Sequence, residues 1–333
     1  MASTVLVLTA LEDITADLVV GALNDREVAV MRCDPADIGR GLSFAGSIGA
    51  GTAAWSGRLR TASRSVELED VASVYYRRPT SYSDRYADLP AQARDFATAE
   101  ARHGLGGLLH SIPGARYVNH PAAVARADFK PAQLQLAARI GLQVPPTLVT
   151  NDVDAARSFA DEHGPVVYKT FRGLPPGTDG GAGAIWTQRV ASETFDEAIS
   201  VTAHMFQAEI PKACDVRMTV VGRQVFAQRI IEPNGELDWR RGRWDDLRYE
   251  PVVVPQVIKA AALDFLGSMH LAFGCFDCAL CGSAVSPESW WFIECNSNGQ
   301  WGWLPDFKDI AEAFADLLAP SLPWQHPNGD RGR

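Results

Sequence analysis

Apolar positions along the chain fall into short runs of alternating or continuous hydrophobicity, divided by helical stretches and Gly/Pro punctuation. Thr4–Thr9, TVLVLT, is a β-rich run; a helical stretch follows to Leu23, and Val28–Arg32, VAVMR, is the next strand. This β-α-β opening predicts a small parallel sheet. Val71–Arg77, VASVYYR, extends it, and Leu89–Ile112 reads as helix before a brief strand at Tyr117–Asn119. Asn119-His120-Pro121 is a turn signal. Further on, a helix over Pro131–Ile140 stops at Gly141. Thr147–Thr150 is a strand, a helix capped by Asn151 or Asp152 runs to about His163, and Val166–Thr170, VVYKT, is again a strand. RGLPPGTDGGAGA then carries five Gly and two Pro in thirteen residues, too flexible for a regular element and too long for a simple turn. Strands are predicted at Ile185–Gln188 and, around Gly222-Arg223, as a hairpin of Asp215–Val221 and Gln224–Ile231. Pro255–Leu271 is a helix, and Phe273–Leu280 and Trp290–Cys295 are the last strands.

The pattern divides the 333 residues into spans 1–118, 119–206 and 207–322, with a disordered tail expected over 323–333. Composition fits a globular protein, 47% hydrophobic and 21% charged. A net charge of -9 argues against nonspecific nucleic-acid binding and gives no attraction to anionic membranes. Glu12, Asp13 and Asp17 interrupt the N-terminal apolar run, so it does not read as a secretion signal, and no apolar run reaches the roughly 18 residues of a membrane span. A cytoplasmic location is expected. Cys275, Cys278 and Cys281 share a predicted strand, where positions three apart face opposite sides, so they read as small apolar fillers rather than zinc ligands.

Candidate chemistry sits at strand ends. Glu294 and Asn296, two apart at the end of an apolar strand, project to one side. If that strand pairs antiparallel with Phe273–Leu280, mid-strand Asp277 joins them, giving a hard-oxygen set suited to Mg²⁺. Such an ion implies a nucleotide, yet the P-loop and dinucleotide fingerprints are absent. The alternative phosphate cradle is the Gly177–Gly183 loop, whose backbone N–H groups can cover phosphates, with Lys169 beside it and Lys130 ahead of it. A lone lysine is more often a solvated surface charge; one inside VVYKT, abutting such a loop, is not.

From about His120 to Leu304 these features resemble, in order, the ATP-grasp ligases. The resemblance implies an α/β architecture of two α+β lobes gripping ATP, behind an N-terminal small parallel-sheet pre-ATP-grasp domain. It implies phosphate contacts from Lys130, Lys169 and the flap with Gly180 and Gly181, and a hinge over Gln207, Ala208, Glu209 and Ile210 whose backbone at Ala208 and Ile210 meets the adenine edge. Asp215 falls on the ribose and Arg217 on phosphate or the acyl intermediate. Asp277, Glu294 and Asn296 fall on the metal, expected as two Mg²⁺ ions.

A narrower resemblance rests on FIECNSNGQWGWL, on YYRRP at Tyr75–Pro79 and on Asp238-Trp239-Arg240. These are similar to the maturases of graspetides, the microviridin-type ribosomal peptides. The chain carries Ser297 where relatives have Pro, and Ala208-Glu209 where an acidic-aromatic pair is common. The resemblance implies activation of an Asp or Glu side chain of a precursor peptide as an acyl phosphate, then ring closure by a Ser/Thr hydroxyl or Lys amine of the same peptide. Lys169, Arg217 and Arg240 are expected to act on the reacting groups, and Asp238, Trp239, Arg240, Arg241 and Arg243 to hold peptide. Arg248 extends these arginines into an expected basic patch. The partner is a precursor with a leader and a Thr/Asp/Glu-rich core, and a homodimer is expected; nucleic acid and membrane are not. Rival readings are a carboxylate–amine ligase for free amino acids or small peptides, of the glutathione-synthetase type, and a non-catalytic peptide-binding scaffold.

Overall fold

The computed structural model describes residues 3–171, 185–282 and 286–319. Gly180, Gly181 and the rest of the expected flap over Gly177–Gly183 lie outside these, as does the tail from 323.

The N-terminal third is a parallel sheet in the order β2-β1-β6-β7. Its strands are β1 (Thr4–Leu8), β2 (Ala29–Cys33), β6 (Val71–Tyr76) and β7 (Arg116–Val118). Helix α1 (Ile14–Asp25) crosses between β1 and β2, started by the Asp13 carboxylate, which accepts from the Ala16 amide. Between β2 and β6 the chain builds a small antiparallel sheet, β3 (Ser43–Ser47), β4 (Ser56–Arg60) and β5 (Ser65–Glu67), that the hydrophobic pattern does not announce. All five residues of β3 are exposed, so no buried face imposes alternation. One-turn α2 (Tyr82–Arg85) and long α3 (Ala91–Leu109) complete this part.

Asn119 lies in the turn after β7, as expected, but is buried there. It is 1% exposed, its amide donating to the carbonyls of Phe273 and Ser297 and its oxygen accepting from the amides of Ala272 and Phe273. Helix α4 (Pro121–Ala127) starts directly after it, and α5 (Lys130–Arg139) follows, closing on left-handed Gly141.

The central sheet has the order β10-β9-β11-β8, from β8 (Thr147–Thr150), β9 (Val166–Lys169), β10 (Gln188–Val190) and β11 (His204–Ala208), with α6 (Val153–His163) behind it. The strand expected at 185–188 begins instead at Gln188, because Ile185–Thr187 line the cleft described below rather than joining the ladder. β11 runs two residues past the expected boundary at 206.

The C-terminal sheet, β14-β13-β12-β15-β16, comprises β12 (Cys214–Val221), β13 (Gln224–Ile231), β14 (Arg248–Pro251), β15 (Phe273–Leu280) and β16 (Trp290–Asn296). Left-handed Gly222 makes the β12–β13 turn. Helix α7 (Gln256–Met269) covers one face with Phe265 and Leu266 fully buried. On the other face α8 (Phe307–Leu318), a helix absent from the sequence reading, wedges Phe314 between Phe273, Trp301 and Tyr75. One apolar core therefore joins the N-terminal sheet to the C-terminal one. The described cysteines are all free thiols, most of them buried.

Candidate active site

β12 and β15 run antiparallel with Arg217 opposite Asp277, and β15 and β16 with Asp277 opposite Glu294. This register stacks a guanidinium and two carboxylates across adjacent strands on one face. A cleft of about 390 Å³ opens over that face and is lined on its other side by Lys169 and Gln207 of the central sheet. Lys130, at the start of α5, spans both halves: its Nζ lies 3.0 Å from the Thr170 carbonyl and 3.0 Å from Glu294.

Arg217 Nε is 2.7 Å from Asp277 and its Nη1 donates to the Gln300 carbonyl at 3.0 Å. Asn296 Nδ2 lies 3.1 Å from an oxygen of Asp277 and 3.1 Å from one of Glu294. Asp277, Glu294 and Asn296 thus converge on one point. Rotating the Asn296 amide by half a turn puts its carbonyl oxygen there, and the donors become two carboxylates and a carboxamide, which suit a hard cation. Among the described residues no group of three or more His, Cys, Asp or Glu is placed to hold a metal, so Asn296 is needed to complete the set.

The charges are packed closely and largely, though not fully, shielded from solvent. Burial pushes Asp277 up to about 6, against the pull of Arg217, with Glu294 adding to the rise. Burial acts the same way on Glu294, but the charge and hydrogen bond of Lys130 outweigh it and bring that carboxyl down to about 2. Burial lowers Lys169 to about 8, opposed by Glu294. A divalent ion would favour ionised Asp277, and added phosphates would favour charged Lys169.

The hinge stretch borders the cleft from Gln207 to Ile210. The Ala208 amide already donates to Pro146 and the Glu209 amide to Pro165, which removes Ala208 N–H as an adenine donor. Among the described residues no acceptor takes the Ile210 amide, so that group remains available. The Gln207 side chain donates to Thr147 and Glu209 is held by Arg189. Asp215 is gripped through both oxygens by Lys212, whose third bond goes to the Leu237 carbonyl. Lys212 thereby ties the hinge to the 237–240 loop, a role the sequence signalled only as an i,i+3 charge pair.

In that loop Arg240 Nε and Nη2 meet the two oxygens of Asp238 at 2.8 and 2.7 Å. These bonds outweigh burial and hold Asp238 below the usual carboxylate range. Arg240 also lies over the Trp186 ring, 5.6 Å from its centre. Asp238, Trp239 and Arg240 line the cleft; Arg241 and Arg243 do not. Arg241 faces Glu236 and Arg243 faces Asp246, so the expected basic patch over 240–248 is largely neutralised by its own acids. Trp303 likewise serves the cleft from behind: it packs with Trp239, Trp244 and Tyr249, and Arg217 sits over its ring at 5.5 Å.

Comparison with known proteins agrees with this architecture. The family described as the MvdD pre-ATP grasp domain matches residues 4–125. A RiPP-associated ATP-grasp ligase of Chryseobacterium gregarium, in complex with ADP and a leader and core peptide, superposes over 96% of this chain and 98% of its own, at TM-score 0.86 and 29% identity. Macrocyclase MdnC of Microcystis aeruginosa, bound with precursor peptide MdnA, superposes over 95% and 99% at TM-score 0.81 and 26% identity. Among curated proteins, ribosomal protein bS6–L-glutamate ligase of Escherichia coli is 31% identical over 175 residues, 49% of this chain; the match spans 57% of that ligase's length.

Proposed function

Because the chain belongs to the ATP-grasp ligases of the ribosomal-peptide macrocyclase type, we propose that it closes rings within a precursor peptide. The bond formed joins an Asp or Glu side chain to a Ser/Thr hydroxyl or a Lys amine of the same peptide. The observation that carries this reading is one cleft holding Lys130, Lys169, Arg217, Asp277, Glu294 and Asn296 below the Asp238–Arg240 pair.

ATP fits with its base at the Ile210 amide, its ribose toward Asp215 and its phosphates between Lys130 and Lys169. A peptide carboxylate oxygen attacks the γ-phosphorus, ADP leaves, and an acyl phosphate forms. A hydroxyl or amine of the peptide then attacks the acyl carbon, losing its proton as phosphate departs. Attack by one anion on another needs positive charge nearby, which Lys169, Arg217 and Arg240 supply. Asp277, Glu294 and Asn296 would hold Mg²⁺, two ions in this reading, adding further charge neutralisation on the phosphoryl oxygens. Arg240, held by Asp238 and Trp186, would orient an acidic side chain. The nucleophile and acyl phosphate belong to one chain, so ring closure gains effective concentration.

Incubation with MgATP and a candidate Thr/Asp/Glu-rich precursor peptide, sought among short reading frames beside the gene, tests this directly. Each link should lower the peptide mass by one water; an unchanged mass with ATP consumed only when free amino acids are added would favour a second reading. That alternative, addition of amino acids to a carboxylate, draws on the likeness to the bS6–glutamate ligase.

A further inference from the structure

The loop Ser297–Gln300, which follows the last proposed metal ligand, is gripped from the N-terminal sheet by two consecutive arginines. Arg77 and Arg78, on the strand exit of β6, both donate to one acceptor, the Asn298 carbonyl: Arg77 through Nη1, Arg78 through Nε at 3.1 Å. Arg77 is fully buried, and its Nε faces Asp13 at 3.6 Å. Asp13 is itself bonded to Thr9. Arg77 takes the Asp13 carboxylate, which leaves Arg78 without an ion pair among the described residues.

Arg78 carries its charge outward. The residue is exposed, and among the described residues no carboxylate lies within ion-pair distance of it. Burial of part of the side chain and the neighbouring Arg77 charge both lower its proton affinity. With Nε spent on Asn298, its two terminal nitrogens form a fork of the kind that meets a carboxylate bidentately. Beside it, the amides of Asn298 and Gln300 have no acceptor among the described residues. Gly299 keeps the loop tight, since a Cβ there would come within 2.4 Å of the Cys275 Cβ. The site is at the carboxyl end of parallel strands β1 and β6, where open sheets of this type bind ligands.

We propose that Arg78, with the Ser297–Gln300 backbone, forms a carboxylate-binding subsite that holds a second acidic side chain of the peptide, distinct from the one at Arg240. The assignment rests on the peptide-ligase reading for the identity of its occupant. It adds to Arg240 a second cationic handle, beside the loop that follows Asn296, so an acidic core is held at two points.

The test uses fluorescein-labelled hexaglutamate as probe, with anisotropy read in the presence of MgADP, and calorimetry of MgADP binding as control. Wild-type enzyme should bind the probe with an affinity that falls as salt rises. Arg78→Gln should weaken probe binding by about tenfold or more, the worth of a charge-assisted bidentate contact, while MgADP affinity stays near wild type. Arg78→Lys, keeping charge without the fork, should recover part of the loss. No probe binding by wild type, equal binding by Arg78→Gln, or a joint fall in probe and MgADP affinity would each overturn the subsite, the last by showing that Arg78 only shapes the loop. Arg78-dependent probe binding in an enzyme that condenses no precursor would retain the subsite and overturn the macrocyclase reading.

Discussion

Arg217 and Asp277 face each other across neighbouring antiparallel strands, with Nε 2.7 Å from the carboxylate, and Trp303 backs the guanidinium at 5.5 Å. The pair lines the cleft, so the proposed reading gives it a chemical as well as a structural role. Arg217→Met leaves Asp277, whose side chain is 22% exposed, without its partner, a loss that should fall below the about 3–5 kcal/mol of a fully buried pair. Urea unfolding should show that loss, and ligation should stop. The double variant with Asp277→Asn should recover part of the stability but none of the activity.

The convergence of Asp277, Glu294 and Asn296 makes a second prediction. Glu294→Gln or Asp277→Asn keeps shape and hydrogen-bonding capacity while removing a negative charge. Nucleotide binding followed by calorimetry should lose most of its dependence on Mg²⁺, with a larger fall in melting temperature for Asp277→Asn, which leaves buried Arg217 without its carboxylate, than for Glu294→Gln. Undiminished Mg²⁺ dependence in both variants would remove these side chains from the metal site.

Much of this site was legible because strand chemistry is local. An acid two residues from an amide at the end of WWFIECN must share its face, and the lysine of VVYKT closes an apolar strand directly before a Gly-rich stretch. What escaped depended on contacts between distant segments. Asn119 read as a turn residue, and it is one, but nothing local shows that Ala272, Phe273 and Ser297 would close around it. Sheet β3–β5 escaped because an exposed strand needs no alternation. Arg241 and Arg243 read as peptide contacts from charge density alone, while the acids that neutralise them lie a few residues away.

Asn119→Ala follows from that buried staple. It leaves the amide of Ala272 and the carbonyl of Ser297 without their partner, at an expected cost of about 3 kcal/mol for unpaired buried groups. Thermal or urea unfolding measures it. Asn119→Asp should be no better, because a carboxylate cannot donate to Phe273 and Ser297.

Lys169 gives a pH signature. Its folded value of about 8 lies below its ordinary 10.5. Below about pH 8 both folded and unfolded chains carry the proton, and the burial cost is fully present. Between there and the ordinary value the unfolded chain binds more protons, so stability rises with pH across that window. The stability of wild type relative to Lys169→Met should therefore increase from about pH 7.5 to about pH 9.5. A flat difference in urea unfolding would show that the cleft leaves Lys169 unperturbed.

Arg240 separates peptide from nucleotide. Its guanidinium is locked by both Asp238 oxygens and the Trp186 ring, so it has little freedom to lose on binding. An acidic peptide side chain arriving there meets a pre-set fork whose orientation depends on Asp238. Arg240→Lys keeps the charge but cannot reproduce the bidentate geometry. It should raise the peptide KM about tenfold or more while leaving the KM for ATP close to wild type, because the proposed adenine and phosphate contacts lie on Ile210, Lys130 and Lys169. Asp238→Asn should act in the same direction through a loosened Arg240. If instead the two KM values rise together in both variants, Arg240 belongs to the phosphate end of the cleft and the peptide's acid is held elsewhere.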